Sequence, residues 1–83
     1  MNETDETVTI RPVKLLVEGL TFDFMLPEKV SKVLQGMPAD EAAGFLPIIL
    51  ADSRLAGVGE ETLTRMRNDL DLMALSGQRI RVV

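Results

Sequence analysis

Apolar and polar residues alternate with a period of two in the first third of this chain. From Leu20 to Leu26 every second residue is large and apolar, so these side chains would share one face of a strand. The run from Val13 to Val17 alternates in the same way, and Glu18-Gly19 separates the two runs. Glycine suits the second central position of a two-residue turn, where φ is positive. The pattern predicts an antiparallel β-hairpin.

A two-residue turn also fixes how the two strands pair. It places Leu15 opposite Phe22, so that one face of the hairpin is apolar, and Lys14 opposite Asp23 on the other face. Shifting the pairing of the strands by one residue would turn the side chains of one strand to the opposite face. Only one register therefore satisfies both the apolar and the charged face. Pro12 cannot donate a backbone hydrogen bond, and it predicts that the first strand bends there or lies at an edge.

After the hairpin the apolar spacing becomes helical. Pro27 fits the first position of a short helix that Gly36 ends. A second helix begins at Asp40-Glu41, and Pro47 is expected to kink or split it. A third helix follows the loop at residues 56–59.

The third helix shows the clearest helical stripe, formed by Leu63, Met66, Leu70 and Met73. Gly77 is placed to cap its end. Residues 78–83 alternate like a short strand, although a free tail fits them equally. The predicted fold class is α+β: an N-terminal antiparallel β-hairpin, three short helices and a short C-terminal strand. Residues 1–7 are predicted to be a flexible acidic tail, and residues 8–83 a single small domain.

Composition restricts the chemistry that is open to the chain. Its 83 residues include no Cys and no His, which removes disulfides, the usual zinc ligands and the commonest catalytic base. We therefore expect a protein that is not an enzyme and that has no catalytic residues, cofactor or metal.

Charge and hydropathy restrict the partners. Nine Lys+Arg against thirteen Asp+Glu give a net charge of -4, which repels phosphate backbones and argues against nucleic acid. The apolar run at residues 45–51 is too short for a membrane span, which needs roughly 20 residues. Because residues 1–7 are acidic and polar, unlike a signal peptide, a cytoplasmic location is expected.

Two local patterns have an alternative functional interpretation. The glycines of residues 57–59 could cradle a phosphate, but Glu60 and Glu61 follow directly and would repel it. Asp69 and Asp71 could contribute to a metal site, but residues two apart on a helix point to different sides. A plain loop and a solvated helix face explain both patterns.

The apolar residues outside the predicted core are candidates for protein binding. Leu16 and Met25 fall on the hairpin face that carries Lys14, away from the apolar face. In the C-terminal segment, Ile80 and Val82 could seek a sheet edge in this chain or in a partner. These residues predict partner binding or self-association, unless the third helix or the terminal strand covers the same face within the chain.

The order of these patterns resembles the small tail assembly chaperones of Mu-like and related long-tailed phages. The hairpin from Val13 to Leu26, with its glycine turn and following proline, is similar to the start of those proteins. Their C-terminal helical region is matched by residues 48–51, the loop at residues 56–58, Glu60-Glu61 and Asp69-Leu70. The resemblance spans about residues 8–76, and Pro47 departs from it.

The resemblance implies a chaperone that coats the hydrophobic tape measure protein before the tail tube polymerises. The chain would then act in the cytoplasm of the bacterial host. A different interpretation of a small acidic domain is a regulatory or inhibitory protein of the antitoxin, anti-restriction or anti-CRISPR type. Both interpretations describe a protein-binding module, and a tape measure gene next to that of the chain would favour the first.

Overall fold

The computed structural model describes residues 9–83. Its elements are, in chain order, β1 (Ile10–Val17), β2 (Leu20–Pro27), α1 (Glu28–Leu34), α2 (Ala39–Leu50), a 3-10 helix (Ser53–Val58), α3 (Glu60–Met73) and β3 (Arg81–Val82). The predicted α+β class, with an N-terminal hairpin, following helices and a short C-terminal strand, is confirmed. The tail predicted over residues 1–7 lies outside the described residues.

The hairpin has the predicted register. Lys14 pairs with Asp23 and Leu15 with Phe22, and the ladder extends from Val17–Leu20 to Ile10–Pro27. Glu18 and Gly19 both have positive φ, +52° and +81°, as the two central residues of a type I′ turn require. The turn and the alternation of both strands therefore agree on one pairing.

The sheet has the strand order β2-β1-β3, with β3 antiparallel to β1. Contrary to the expectation for Pro12, β1 is one continuous strand and occupies the centre of the sheet. The backbone of Pro12 points away from β2, as does that of Lys14, whose carbonyl accepts a hydrogen bond from the Val83 amide at 2.9 Å. Because β3 pairs with β1 only at Leu15 and Leu16, it does not reach Pro12, and no ladder bond is lost there.

One face of the sheet packs against the helices to form the core. Leu15, Phe24 and Leu26 are at most 1% exposed. The helices and the connecting segments add buried residues to the same cluster: Val30, Leu34, Ala39, Ala42, Leu46, Leu50, Leu55, Leu63, Met66, Leu70 and Met73. The stripe predicted on the third helix is buried in full. No charged residue is buried among residues 9–83.

Some helix boundaries differ from the predicted ones. Pro27 ends β2 and is the N-cap of α1 instead of its first residue. Pro47 does not split α2, which continues to Leu50. The predicted loop before α3 is mostly a 3-10 helix, and Gly59 with φ +101° precedes α3. Gly77 is not among the glycines with positive φ, and α3 ends four residues before it.

Both ends of α3 are tied to the hairpin. Near the start of α3, the Arg65 guanidinium donates to the Asp23 carbonyl at 2.7 Å, and the Met66 sulfur accepts from the Met25 amide at 3.3 Å. Beyond its end, the Ser76 hydroxyl donates to the Glu18 carboxylate. The helix therefore runs antiparallel to β2 along the outer edge of that strand.

Candidate protein-interaction surfaces

The outer face of the sheet, opposite the core, is open. Lys14 and Asp23 form an ion pair across it at 3.9 Å, and their side chains are 54% and 74% exposed. Thr21, on the same face, is exposed as well. In the part of the chain that the structure describes, α3 lies at one edge of the sheet and β3 continues the sheet at the other. Neither element covers this face.

The two candidates predicted for this face are half-buried. Leu16 lies on it without belonging to the core cluster or packing against it. Met25 packs against the core, and its backbone amide is bonded to the Met66 sulfur. Leu16 is therefore a surface residue, whereas Met25 serves partly as support for α3.

The two candidates in the C-terminal segment lie on the inner side of the sheet. Ile80 is 1% exposed and belongs to the core, which corrects the expectation that its side chain contributes to a surface for a partner. Val82 is half-buried, pairs with Leu15 and packs against the core. The reason is the register of β3, which turns every second residue of this segment inward. The Val82 amide donates to the Gln35 side chain at 2.7 Å.

The open face contains a groove of about 260 Å³. Its apolar lining includes Pro12, Met25 and Val83, and its charged lining includes Lys14, Asp23 and Arg65. Val83 is 73% exposed. This part of the sheet therefore combines apolar and charged side chains.

A second exposed apolar surface lies at the turn of the hairpin and was not predicted. Leu20, Leu72 and Leu75 are 60%, 56% and 84% exposed. They are brought together because Ser76, next to Leu75, donates its hydroxyl proton to Glu18. The signal in the sequence was that Leu72 and Leu75 fall outside the apolar stripe of α3.

The pKa of the Asp52 carboxyl is lowered by its neighbour Arg54. The Arg54 side chain and backbone amide both donate to the Asp52 carboxylate, and these hydrogen bonds lower the pKa of Asp52 to about 2. The interaction holds the first turn of the 3-10 helix and faces solvent. Within residues 9–83, no three acidic side chains are grouped to hold a metal ion, and no helix has the length and apolarity to cross a membrane.

Comparison of the chain with models of protein families, with curated proteins and with solved structures finds no match. Its function must therefore be inferred from these surfaces.

Proposed function

We propose that the chain is a non-catalytic protein-binding module whose docking surface is the outer face of the sheet. The observation that carries the proposal is the groove on this uncovered face. A three-stranded sheet in a domain of this size has helices for only one of its faces. The other face stays available to a partner.

The composition of the face suits a protein partner. Leu16 and Val83 offer apolar area that a partner would remove from water, and such burial is worth roughly 25 cal/mol per Å². The charged side chains of Lys14, Asp23 and Arg65 offer polar groups that fix the orientation of the bound segment. An extended or helical segment with apolar side chains fits this combination.

The resemblance to tail assembly chaperones suggests a specific partner, the hydrophobic tape measure protein. A chaperone of this kind would shield apolar segments of that protein in the host cytoplasm until the tube assembles. The open face supports this role because Leu16, Met25 and Val83 place apolar side chains on it.

The test is co-expression of the chain with the tape measure protein encoded in the same genome. We expect the chain to raise the soluble fraction of that protein and to co-purify with it. Leu16→Asp should abolish both effects, because it replaces a half-buried apolar side chain of the outer face with a charge. Ile48→Asp is the matched control, since Ile48 is 71% exposed on α2 and lies outside this face.

Two results would count against the proposal. If Leu16→Asp and Ile48→Asp bind alike, the outer face is not the docking surface. If the tape measure protein stays insoluble, the chaperone role is wrong. A complex with a neighbouring toxin or nuclease that Leu16→Asp disrupts would then assign the same face to an inhibitor.

A further inference from the structure

The charged residues that form no ion pair among residues 9–83 are unevenly distributed over the surface. Among residues 9–83, five pairs join Arg11–Glu28, Lys14–Asp23, Arg54–Asp52, Arg65–Asp69 and Arg67–Glu60. The basic residues that form no ion pair within this range are Lys29, Lys32, Arg79 and Arg81. The corresponding acidic residues are Glu18, Asp40, Glu41, Glu61 and Asp71. Most of the unpaired carboxylates lie together.

The carboxylates gather around the exposed leucines at the turn of the hairpin. Ser76 binds the Glu18 carboxylate through its hydroxyl and accepts the Asp40 amide at its carbonyl at 3.0 Å. Glu41 follows Asp40, and Asp71 precedes Leu72. We define the turn end of the molecule as this acidic and apolar surface, formed by Glu18, Leu20, Asp40, Glu41, Asp71, Leu72 and Leu75.

The opposite end of the hairpin contains a groove, and next to it lie two lysines that form no ion pair within residues 9–83. The groove has a volume of about 400 Å³ and lies between α1 and the end of β3. Its lining includes Glu28 and Ser31 on one side and Val83 on the other. Lys29 and Lys32, each next to one of the lining residues of α1, are exposed. We define the open end as this groove together with Lys29 and Lys32.

The two ends are well separated. Glu18 lies in the turn, whereas Glu28 directly follows the last residue of β2. An eight-residue strand at about 3.3 Å per residue puts roughly 23 Å between them. One copy of the chain can therefore use both ends at once. Contacts between unlike surfaces of identical copies are heterologous and produce rings or open filaments.

We propose that copies of this chain associate head to tail, with the turn end of one copy docked in the groove at the open end of the next. Among residues 9–83, Leu75 is the most exposed of the large apolar side chains, and we take it as the anchor. The carboxylates of Glu41 and Asp71 approach Lys29 and Lys32 of the neighbour, so that charge complementarity sets the orientation. Arg79, Arg81 and Glu61 belong to neither end.

Charge reversal provides a decisive test. One variant carries Glu41→Lys and Asp71→Lys at the turn end, and a second carries Lys29→Glu and Lys32→Glu at the open end. At about 20 mM salt, where screening is weak, wild type should associate in sedimentation experiments as its concentration rises. Raising the salt to about 0.5 M should weaken this association. Each variant alone should stay monomeric. The first variant loses the net negative charge of its turn end, and in the second variant both ends are negative.

An equimolar mixture of the two variants should associate again, since the unchanged turn end of the second variant meets the unchanged open end of the first. A monomeric wild type at low salt would overturn the proposal. A mixture that stays monomeric would also overturn it. If only one of the two variants loses association, the contact is symmetric and uses a single end, which again contradicts the proposal. Circular dichroism of each variant confirms that it is folded.

A third variant, Leu75→Ser, tests the apolar contact without changing charge. Leu75→Ser should weaken self-association about tenfold or more, because the anchor side chain no longer leaves water on binding. Ile48→Ser serves as the control and should leave the association unchanged; equal effects of the two would contradict the proposal. Leu16→Asp should not affect self-association, so this inference and the proposed docking face can fail independently.

Discussion

Two adjacent residues at the turn of the hairpin carry a demanding backbone requirement. Glu18 and Gly19 both have positive φ, a conformation that a residue with a side chain adopts at a cost. Glu18 is held there by the hydrogen bond from the Ser76 hydroxyl. Gly19 has no such partner, and its lack of a side chain is what permits the turn.

The same substitution should therefore have opposite effects at two glycines. Gly19→Ala should lower the free energy of unfolding by about 1 to 2 kcal/mol, the cost of left-handed backbone. Gly44→Ala, inside α2, should raise it by about 0.5 to 1 kcal/mol through helix propensity. No atom lies within 4 Å of an added Cβ at either position, so both effects are those of the backbone. Urea denaturation measures both, and a stable Gly19→Ala variant would contradict the I′ turn.

At the scale of elements, prediction succeeded where two independent patterns had to agree. The hairpin register follows from the alternation of both strands together with a turn of fixed length. Gly77 was misjudged because it was interpreted from its residue type alone. Pro47 was interpreted in the same way, and of the two expected outcomes the split of α2 is not found. Proline is compatible with the last turn of a helix that is held by packing, and α2 buries Leu46 and Leu50 on either side of Pro47.

We expect Pro47 to lower the stability of α2, and a substitution can measure this effect. Pro47 has no amide proton for the Ala43 carbonyl, and its ring crowds that turn; a proline inside a helix costs about 3 kcal/mol. Part of this is offset, by about 0.4 to 1 kcal/mol, because proline restricts the unfolded chain. Pro47→Ala should thus stabilise the protein by about 2 kcal/mol in urea denaturation. Unchanged or lower stability would show that α2 is already adapted to the proline.

At the scale of the whole molecule, the candidate surfaces could be predicted only in part. Leu16 was placed correctly because it follows from the hairpin register alone. Ile80 was misplaced because its burial depends on the pairing of β3 with β1, between residues more than sixty positions apart. Leu72 and Leu75 fall outside the apolar stripe of α3, which indicates exposure. Their position near the hairpin turn depends on the contact between Ser76 and Glu18, which are 58 positions apart.

Ile80 ties the C-terminal segment to the rest of the protein. Its amide donates to the Met37 carbonyl at 2.8 Å, and its side chain fills part of the core. Ile80→Ala should therefore lower the free energy of unfolding by about 2 to 4 kcal/mol through the cavity that it leaves. Val83→Ala, at an exposed site, should change it by no more than about 0.5 kcal/mol. The free energy of unfolding is measured by urea titration at high salt, where self-association is weak. Equal effects of the two substitutions would mean that the segment is not part of the fold.

The position of β1 between β2 and β3 has a consequence for synthesis on the ribosome. The hairpin is local in sequence and can form soon after it leaves the exit tunnel, since neighbouring strands close quickly. The core cannot close until Ile80 and β3 have emerged, because they fill the remaining side of β1. During this interval the nascent chain exposes the edge of β1 and the apolar face of the hairpin. A trigger-factor-like chaperone that binds exposed apolar segments should therefore engage the chain during translation and release it once β3 has paired.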